Sequence, residues 1–381
     1  MRHEEPSALD LTPPPSTFVA KGRFGRYTLL WRLGESRLGE VFVARLATIA
    51  GFEKQLVLKI LHPALVEDAR MTRLFLAEAH AAGKVQHANV CEVRDVGQAE
   101  GTYFIVYEHL VGVPLSSVMR RIRRTRDGRD LRLVTALAVQ ACEGLHAAHD
   151  QGVIHKDLNP ERLFVTAEGV VKILGLGVPA RDEMIRRTGP GTVRFGYSSP
   201  EEVRGEPISR RSNVFSLGTI LFELITGRRL FARDSEYLLC RAITEDPIPE
   251  AAKARSGLPE GMNAALREAL ARDGEERLPS ARALGEALGE AVRPLGGPLH
   301  GAAVAEDVDR LCGDEIFSRV APLRRLAEAE RREDERRTER ITDEEPIVTW
   351  RRDDLLRRAT TPILIFLATF GGVLLTWLAL R

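Results

Sequence analysis

The sequence is poor in the features that mark secreted, metal-binding and nucleic-acid-binding proteins. Its 381 residues include only four cysteines, Cys91, Cys142, Cys240 and Cys312, which lie far apart and form no CxxC pair. This spacing argues against a disulfide framework and a zinc site, and it fits a reducing compartment. Lysine and arginine number 55 against 54 acidic residues, a net charge of +1, so whole-chain charge gives no reason to expect nucleic acid as a partner.

An apolar secretory signal is also missing from the N-terminal segment. Residues 1–25 are polar and acidic, with consecutive prolines at 13–15, and are predicted to form a flexible leader. They contain no apolar run of the length that a signal peptide needs. The N-terminus is therefore expected to stay in the cytoplasm.

The C-terminal segment differs, because residues 363–380 (ILIFLATFGGVLLTWLAL) carry no charge. A helix of that length measures about 27 Å, close to the ~30 Å hydrocarbon core of a bilayer. A single transmembrane helix is predicted over residues 362–380. A buried core helix is the alternative, and it is disfavoured by the arginines at 351, 352, 357 and 358, which would remain on the cytoplasmic side. The prediction is a single-pass, C-terminally anchored protein with its other domains in the cytoplasm.

Between these ends, the pattern of apolar residues changes from strand-like to helix-like. Alternation in YTLLWRL, VFVAR and QLVLKIL gives way to helical spacing, as in VTALAVQACEGLHAAHD. This predicts an α+β domain over residues 26–292, with a β-rich small lobe at about 26–107 and an α-helical large lobe at about 112–292. Residues 293–358 are predicted to be a charged helical linker to the membrane, within which VDRLCGDEIF is expected to form one more packed helix.

A glycine-containing stretch, LGESRLGEVFVAR at residues 33–45, lies between two strand-like runs. Gly34 and Gly39 would allow backbone amides to approach phosphate oxygens closely, because glycine has no Cβ. An ordinary hairpin turn has the same appearance, and Ser36 occupies the place of a further glycine.

Two charged residues follow at spacings that favour a phosphate-binding loop over an ordinary hairpin turn. Lys59 ends the strand-like run LVLK, and Glu78 lies in the helical run FLAEAHAAG. Each alone is typical of a solvated surface. The order of glycine-rich loop, lysine, helical glutamate and apolar strand FIVYEHL resembles the protein kinase superfamily, specifically the eukaryotic-like serine/threonine kinases of bacteria, over residues 26 to about 290.

Later landmarks fit the same resemblance. YSSPEE at residues 197–202 is similar to the end of an activation segment, and SNVFSLGTILFELITGRRLF is similar to the long buried helix of the large lobe. Arg277 matches the arginine that pairs with the glutamate at Glu201. The resemblance implies a two-lobed protein kinase-like fold, followed here by the charged helical linker and one C-terminal transmembrane helix.

The resemblance also implies the residues of a nucleotide site. Asp157, in the stretch HKD, matches the proton acceptor, and Lys59 with Glu78 completes the catalytic set. ATP is the candidate ligand. The matching nucleotide-binding positions are Leu33, Gly34, Gly39, Val41, Val57, Lys59, Glu108, Leu110 and Phe164.

Both metal-ligand positions of the family pattern are replaced. Arg162 stands where the catalytic loop has asparagine, and Gly175 stands where the DFG motif has aspartate, followed by Leu176. Arginine has no lone pair to offer magnesium, and glycine has no side chain. This argues against magnesium as a cofactor and leaves no metal ligand at either position. The sequence also departs from the family pattern at Asn159, Arg194 and Val57, and at Asn213, where the family has an aspartate that braces the catalytic loop.

These departures favour a membrane-anchored pseudokinase that acts in cytoplasmic signalling by binding proteins, with ATP as a candidate ligand. An atypical but active serine/threonine kinase is one alternative, and a membrane scaffold with a vestigial pocket is another. Arg162 suggests a hypothesis in which its guanidinium replaces part of the magnesium charge. The competing interpretation is that Arg162 points to solvent or pairs with a nearby acid.

Overall fold

The structure, a computed structural model, describes residues 22–36, 38–47, 53–124, 130–177 and 195–344. The predicted leader up to residue 21 and the predicted transmembrane segment at 362–380 lie outside the described residues. Within the described ranges, no helix combines the length and apolar character that crossing a bilayer requires. The chain divides into two compact units, one ending at Leu323 and the other beginning at Arg324.

An antiparallel sheet forms the small lobe, as the alternating pattern predicts. Its strand order is β1-β2-β3-β4-β6-β5. Because side chains alternate along a strand, Leu56 and Leu58 of β4 face one side, while Lys59 and Leu61 face α1. The elements of this lobe are β1 (Gly22–Phe24), β2 (Tyr27–Ser36), β3 (Gly39–Ala47), β4 (Glu53–Leu61), α1 (Ala69–Gly83), β5 (Val93–Ala99) and β6 (Thr102–Glu108).

The large lobe is helical, with one small sheet in the order β7-β8-β9. Its centre is α5, which begins at a capping box of Ser209 and Ser212 and ends at Gly227 with φ 70°. The elements are β7 (Gly112–Pro114), α2 (Leu115–Arg124), α3 (Leu131–Asp150), β8 (Leu163–Thr166), β9 (Val171–Ile173), α4 (Pro200–Val203), α5 (Arg210–Thr226), α6 (Glu236–Thr244), α7 (Ala251–Ala254), α8 (Glu260–Ala269) and α9 (Ala281–Val292).

The boundaries differ from the sequence-based ones at both ends of the domain. Strand β1 lies within the predicted leader. The last helix of the described residues, α10 (Ala302–Glu344), begins inside the segment that was predicted to be a linker. Its first turns carry a buried stripe at helical spacing, which joins the large-lobe core: Val304, Val308, Leu311, Cys312 and Ile316. The compact unit therefore extends beyond residue 292, because this stripe buries against the domain.

Candidate active site

A cavity of about 210 Å³ lies where the small-lobe sheet meets the segment between β6 and β7. Most of the predicted nucleotide-binding residues line it, namely Leu33, Val41, Val57, Lys59, Glu108, Leu110 and Phe164. Gly34, Gly39 and Asp157 lie outside that lining. Apolar side chains on the walls of a concave site are typical of small-molecule pockets.

The glycine at Gly39 has a structural cause that sequence reasoning missed. A Cβ on Gly39 would lie 2.0 Å from the backbone oxygen of Ile60, in the neighbouring strand β4. The β2–β3 hairpin closes with Ser36 paired to Gly39, and the Gly39 amide also donates to the Ser36 hydroxyl at 3.1 Å. Strand packing alone therefore requires glycine here.

Lys59 and Glu78 meet as a buried ion pair. The Lys59 Nζ lies 2.6 Å from the Glu78 Oε2, and it also lies 5.7 Å from the centroid of the Phe75 ring. Strand β4 and helix α1 bring the two residues together, and the Asp68 carboxylate caps the first turn of α1. The pair fixes α1 against the sheet, the arrangement in which a kinase lysine can reach phosphates.

Tyr107 completes this network and was not predicted. Its hydroxyl donates to Glu78 Oε1 at 2.8 Å, so that both carboxylate oxygens of Glu78 have partners. Burial, and next the charge of Glu78, raise the pKa of Tyr107 well above its usual value. Its position directly before Glu108 in FIVYEHL was the available signal. Tyr107 also lines the cavity.

His155 supports the catalytic loop in a neutral form. The Asp157 backbone N–H donates to His155 Nδ1 at 3.2 Å, and His155 Nε2 lies 3.0 Å from the Leu174 carbonyl oxygen. Because an N–H must meet an unprotonated nitrogen, the ring hydrogen is on Nε2. Burial lowers the pKa of His155 to about 4, which agrees with the neutral ring.

Asn213 binds the same loop from helix α5. Its Oδ1 accepts from the His155 amide at 3.0 Å, and its Nδ2 donates to the His155 carbonyl oxygen at 2.7 Å. An ionised aspartate accepts hydrogen bonds only, so the asparagine adds a donor that the family's usual residue lacks. The substitution therefore keeps the loop in place without adding charge.

Arg162 is turned toward the predicted proton acceptor. Its Nη2 donates to Asp157 Oδ2 at 3.1 Å, and Asn159 Nδ2 lies 3.3 Å from Asp157 Oδ1. Arg162 also lines the cavity. The structure thus shows the pairing with a nearby acid that one interpretation predicted. A cation occupies the position of a metal ligand and contacts the carboxylate that would accept a proton.

Gly175, at the second metal-ligand position, has φ 76°. Leu176 follows and is buried in the large-lobe core, and Gly177 packs against α1. Magnesium does not fit these side chains, since neither Arg162 nor Gly175 offers it a side-chain oxygen. Among the residues that the structure describes, no group of histidine, cysteine, aspartate and glutamate side chains could hold a metal ion. Of three acids near these positions in the sequence, Glu161 lines the cavity, whereas Asp182 and Glu183 lie outside the residues that the structure describes.

We expect Gly177→Ala to destabilise α1 and its ion pair. An added Cβ would lie 2.4 Å from the Ala81 Cβ, and the backbone has φ 77°, so the cost should be about 1–3 kcal/mol or more. Gly152→Ala is the matched control, because Gly152 has φ 69° and no atom within 4 Å of an added Cβ. Urea unfolding should show a greater loss for Gly177→Ala, and hydrogen exchange of α1 should rise in that variant alone. Equal behaviour of the two variants would contradict this packing role.

Glu201 and Arg277 form the second predicted pair. Arg277 Nη1 and Nη2 donate to the two Glu201 carboxylate oxygens at 2.6 and 2.7 Å. The guanidinium also donates to the carbonyl oxygens of Ala271 and Arg272 and lies 5.0 Å from the Phe215 ring centroid. This bidentate pair joins the start of α4 to the segment before α9.

A family model described as the protein kinase domain matches residues 27–287. The tyrosine-protein kinase MasK of Myxococcus xanthus is 32% identical over 297 residues, which cover 73% of this chain and 46% of that protein. The serine/threonine-protein kinase pkn3 of the same species is 35% identical over 251 residues, 62% of this chain and 44% of its own length. The chain spans less than half the length of these curated relatives. A crystal structure of the PknI kinase domain from Mycobacterium tuberculosis superposes on this chain with a TM-score of 0.56 at 24% sequence identity. The match covers 72% of this chain and 99% of that one, and it shows the shared fold.

Proposed function

Because the chain belongs to the protein kinase family, we propose that it is a membrane-anchored pseudokinase that binds nucleotide but transfers phosphate poorly. The observation that carries this proposal is the Arg162–Asp157 ion pair, with Gly175 at the other metal-ligand position. Kinases use metal ions to neutralise charge that develops on the transferred phosphate. Losing such stabilisation costs several kcal/mol, and each ~1.4 kcal/mol is about tenfold in rate.

Nucleotide binding is supported by the groups that remain. The Lys59 Nζ lies 2.6 Å from the Glu78 Oε2, and this ion pair holds the lysine in position. The cavity walls are mostly apolar, as an adenine ring requires. A guanidinium has five N–H donors, so the hydrogen bond from Arg162 to Asp157 does not exhaust its capacity. Lys59 and Arg162 together can offset phosphate charge that magnesium would otherwise neutralise.

We expect a fluorescent ATP analogue to bind the protein with similar affinity in EDTA and in magnesium. Arg162→Ala should weaken binding in EDTA about tenfold, which corresponds to ~1.4 kcal/mol. Arg267→Ala, at an exposed position of α8, is the control and should leave the affinity unchanged. Binding that requires magnesium, or that is indifferent to Arg162→Ala, would exclude the metal-replacement role.

An active kinase of atypical mechanism is the second candidate, favoured by the proton-acceptor residue Asp157 and by the kinase relatives. Those relatives are named as kinases of two acceptor classes, tyrosine for MasK and serine/threonine for pkn3. The family supports a serine/threonine kinase-like protein. Transfer of radiolabel from ATP to protein that disappears in both Asp157→Asn and Lys59→Ala would establish this candidate in place of the pseudokinase. The vestigial-pocket scaffold would instead show no thermal shift with nucleotide.

The membrane anchor is proposed from the uncharged segment at residues 362–380 and the arginines before it. The same arginines support a cytoplasmic position for the kinase-like domain, where its partners would be signalling proteins. Recovery of the full chain in the soluble fraction after cell lysis, instead of in carbonate-washed membranes, would contradict this part of the proposal.

A further inference from the structure

Helix α10 supplies part of the wall of the active-site cavity, although it lies beyond the matched kinase domain, which ends at residue 287. The cavity lining includes Arg319, Val320, Pro322 and Leu323, from one turn of this helix. They face the same space as the residues expected to hold nucleotide. We name residues 319–323 the cap segment.

The helix reaches this place because its preceding turns are anchored on the large lobe. Its buried stripe joins the core, with Val308 wholly buried and Ile316 8% exposed. Near its start, the backbone of Ala305 lies so close to Gly169 that a Cβ there would lie 2.7 Å from the Ala305 nitrogen. Gly169 has φ 76°, so a glycine is doubly suited to this approach.

One carboxylate connects the anchored part to the cap segment. Glu315 accepts from the Ser117 hydroxyl at 2.7 Å and from the Arg120 guanidinium at 3.1 Å, both on α2. Its Oε1 also accepts from Arg319 at 3.0 Å, within the same helix. Burial alone would raise the pKa of Glu315, but the hydrogen bonds from Ser117 and Arg319 lower it below the usual value. The carboxylate is therefore ionised where it contacts α2.

The cap segment lies at a weak point of the helix. Pro322 has no N–H to donate to the Ser318 carbonyl oxygen, and proline in a helix interior favours a kink or break. The rest of the cap segment is only partly buried. This turn can consequently separate from the cavity at lower cost than the anchored stripe can leave the core.

The docked cap segment borders the space in which a nucleotide would bind. Four of its five residues line the same cavity as Lys59 and Arg162. We propose that the cap segment closes the nucleotide site, so that its docking and the binding of a nucleotide exclude each other, and that Glu315 fastens the docked state. The identity of the excluded ligand rests on the proposed nucleotide binding. The closure itself does not, because the cap segment would equally exclude an occupant of the cavity that carries no phosphate.

Competition of this kind has a measurable consequence. If a ligand binds only the undocked protein, its apparent affinity is its intrinsic affinity multiplied by the fraction of the protein that is undocked. Weakening the Glu315 contacts should raise that fraction and hence the affinity. In Glu315→Gln, the amide NH2 would replace one of the two oxygens and meet the donor of either Arg120 or Arg319, while the shape of the side chain is retained.

The test compares the full-length wild type with Glu315→Gln and with the matched control Asp314→Asn. Asp314 is the neighbouring carboxylate and is exposed. Two probes are used: a fluorescent ATP analogue, and staurosporine, an adenine-site inhibitor without phosphate groups. We expect Glu315→Gln to bind staurosporine about tenfold more tightly, or ~1.4 kcal/mol. Hydrogen exchange over residues 313–323 should rise in this variant without ligand, and Asp314→Asn should match the wild type in both measurements.

The outcomes separate this inference from the proposed nucleotide binding. In one outcome, Glu315→Gln binds staurosporine more tightly while the ATP analogue binds no variant. This would support closure by the cap segment and refute nucleotide binding. Unchanged staurosporine affinity, despite increased exchange over residues 313–323, would overturn the cap. So would unchanged exchange in Glu315→Gln, since Glu315 would then not fasten the helix.

Discussion

Replacing Arg162 by asparagine and Gly175 by aspartate in one chain should raise phosphate transfer from ATP at least about 100-fold, or ~2.7 kcal/mol of barrier. Each substitution restores an oxygen ligand for magnesium at its place in the family pattern. Removing Arg162 also removes the cation that lies 3.1 Å from Asp157 Oδ2. The gain should depend on magnesium, unlike the nucleotide binding that is proposed for the wild type.

The surrounding structure favours this result, because the other groups of the candidate active site already have the arrangement that phosphate transfer with a metal ion would need. The Lys59–Glu78 pair is closed at 2.6 Å, and Leu176 is buried in the core beside the catalytic loop. Gly175 has φ 76°, a left-handed conformation that aspartate adopts more readily than most residues. The strain of an aspartate there, about 1–2 kcal/mol, is smaller than the stabilisation that a magnesium ion supplies.

Radiolabel incorporation should be measured for the wild type, both single variants and the double variant. Each single variant restores one ligand only and should gain much less than the double variant. Asp157→Asn in the double-variant background is the control and should abolish the gain, since the proton acceptor is lost. A correctly folded double variant without gain would place the defect elsewhere in the domain. Wild-type activity equal to that of the double variant would exclude the pseudokinase.

The fold and the two ion pairs could be predicted because the order of local motifs resembles that of protein kinases, and the resemblance implies both pairs. Lys59 and Glu78 lie on a strand and a helix whose apolar faces must pack together, so their meeting is a consequence of burial. Glu201 and Arg277 were likewise predicted as a pair. Strand packing gives Gly39 a further reason that the sequence did not reveal, since backbone contacts between β3 and β4 are not visible in a motif.

What the sequence could not give was the direction of side chains and the position of a distant helix. The spacing of Arg162 from Asp157 allows the arginine to face phosphate, solvent or the acid, and only the folded loop selects among them. The apolar residues of VDRLCGDEIF predicted a packed helix. Its packing surface depends on contacts across nearly the whole domain, such as Glu315 with Ser117. Long-range contacts of this kind have no local signal.

Arg277→Ala should cost about 3–5 kcal/mol of unfolding free energy, the usual effect of removing one partner of a buried ion pair. The Arg277 side chain is fully buried, and it donates to backbone carbonyl oxygens as well as to Glu201. Alanine would leave those acceptors without a donor and open a cavity beside Phe215. Arg241→Ala is the matched control, because Arg241 forms an exposed pair with Glu245 at 3.5 Å. Such pairs contribute at most about 1 kcal/mol.

Urea unfolding at neutral pH should therefore separate the two arginine variants by several kcal/mol, and the separation should shrink in acid. Burial alone would raise the pKa of Glu201, but hydrogen bonds from Arg277 and Ser212 lower it. Because the folded pKa lies below the unfolded one, the stabilisation is fully present above the unfolded value of about 4.3. It is lost as the pH falls through the folded pKa, since a protonated Glu201 no longer pairs with Arg277. Equal urea midpoints for Arg277→Ala and Arg241→Ala at neutral pH would contradict this prediction. The Glu201–Arg277 pair would then not be what stabilises this side of the large lobe.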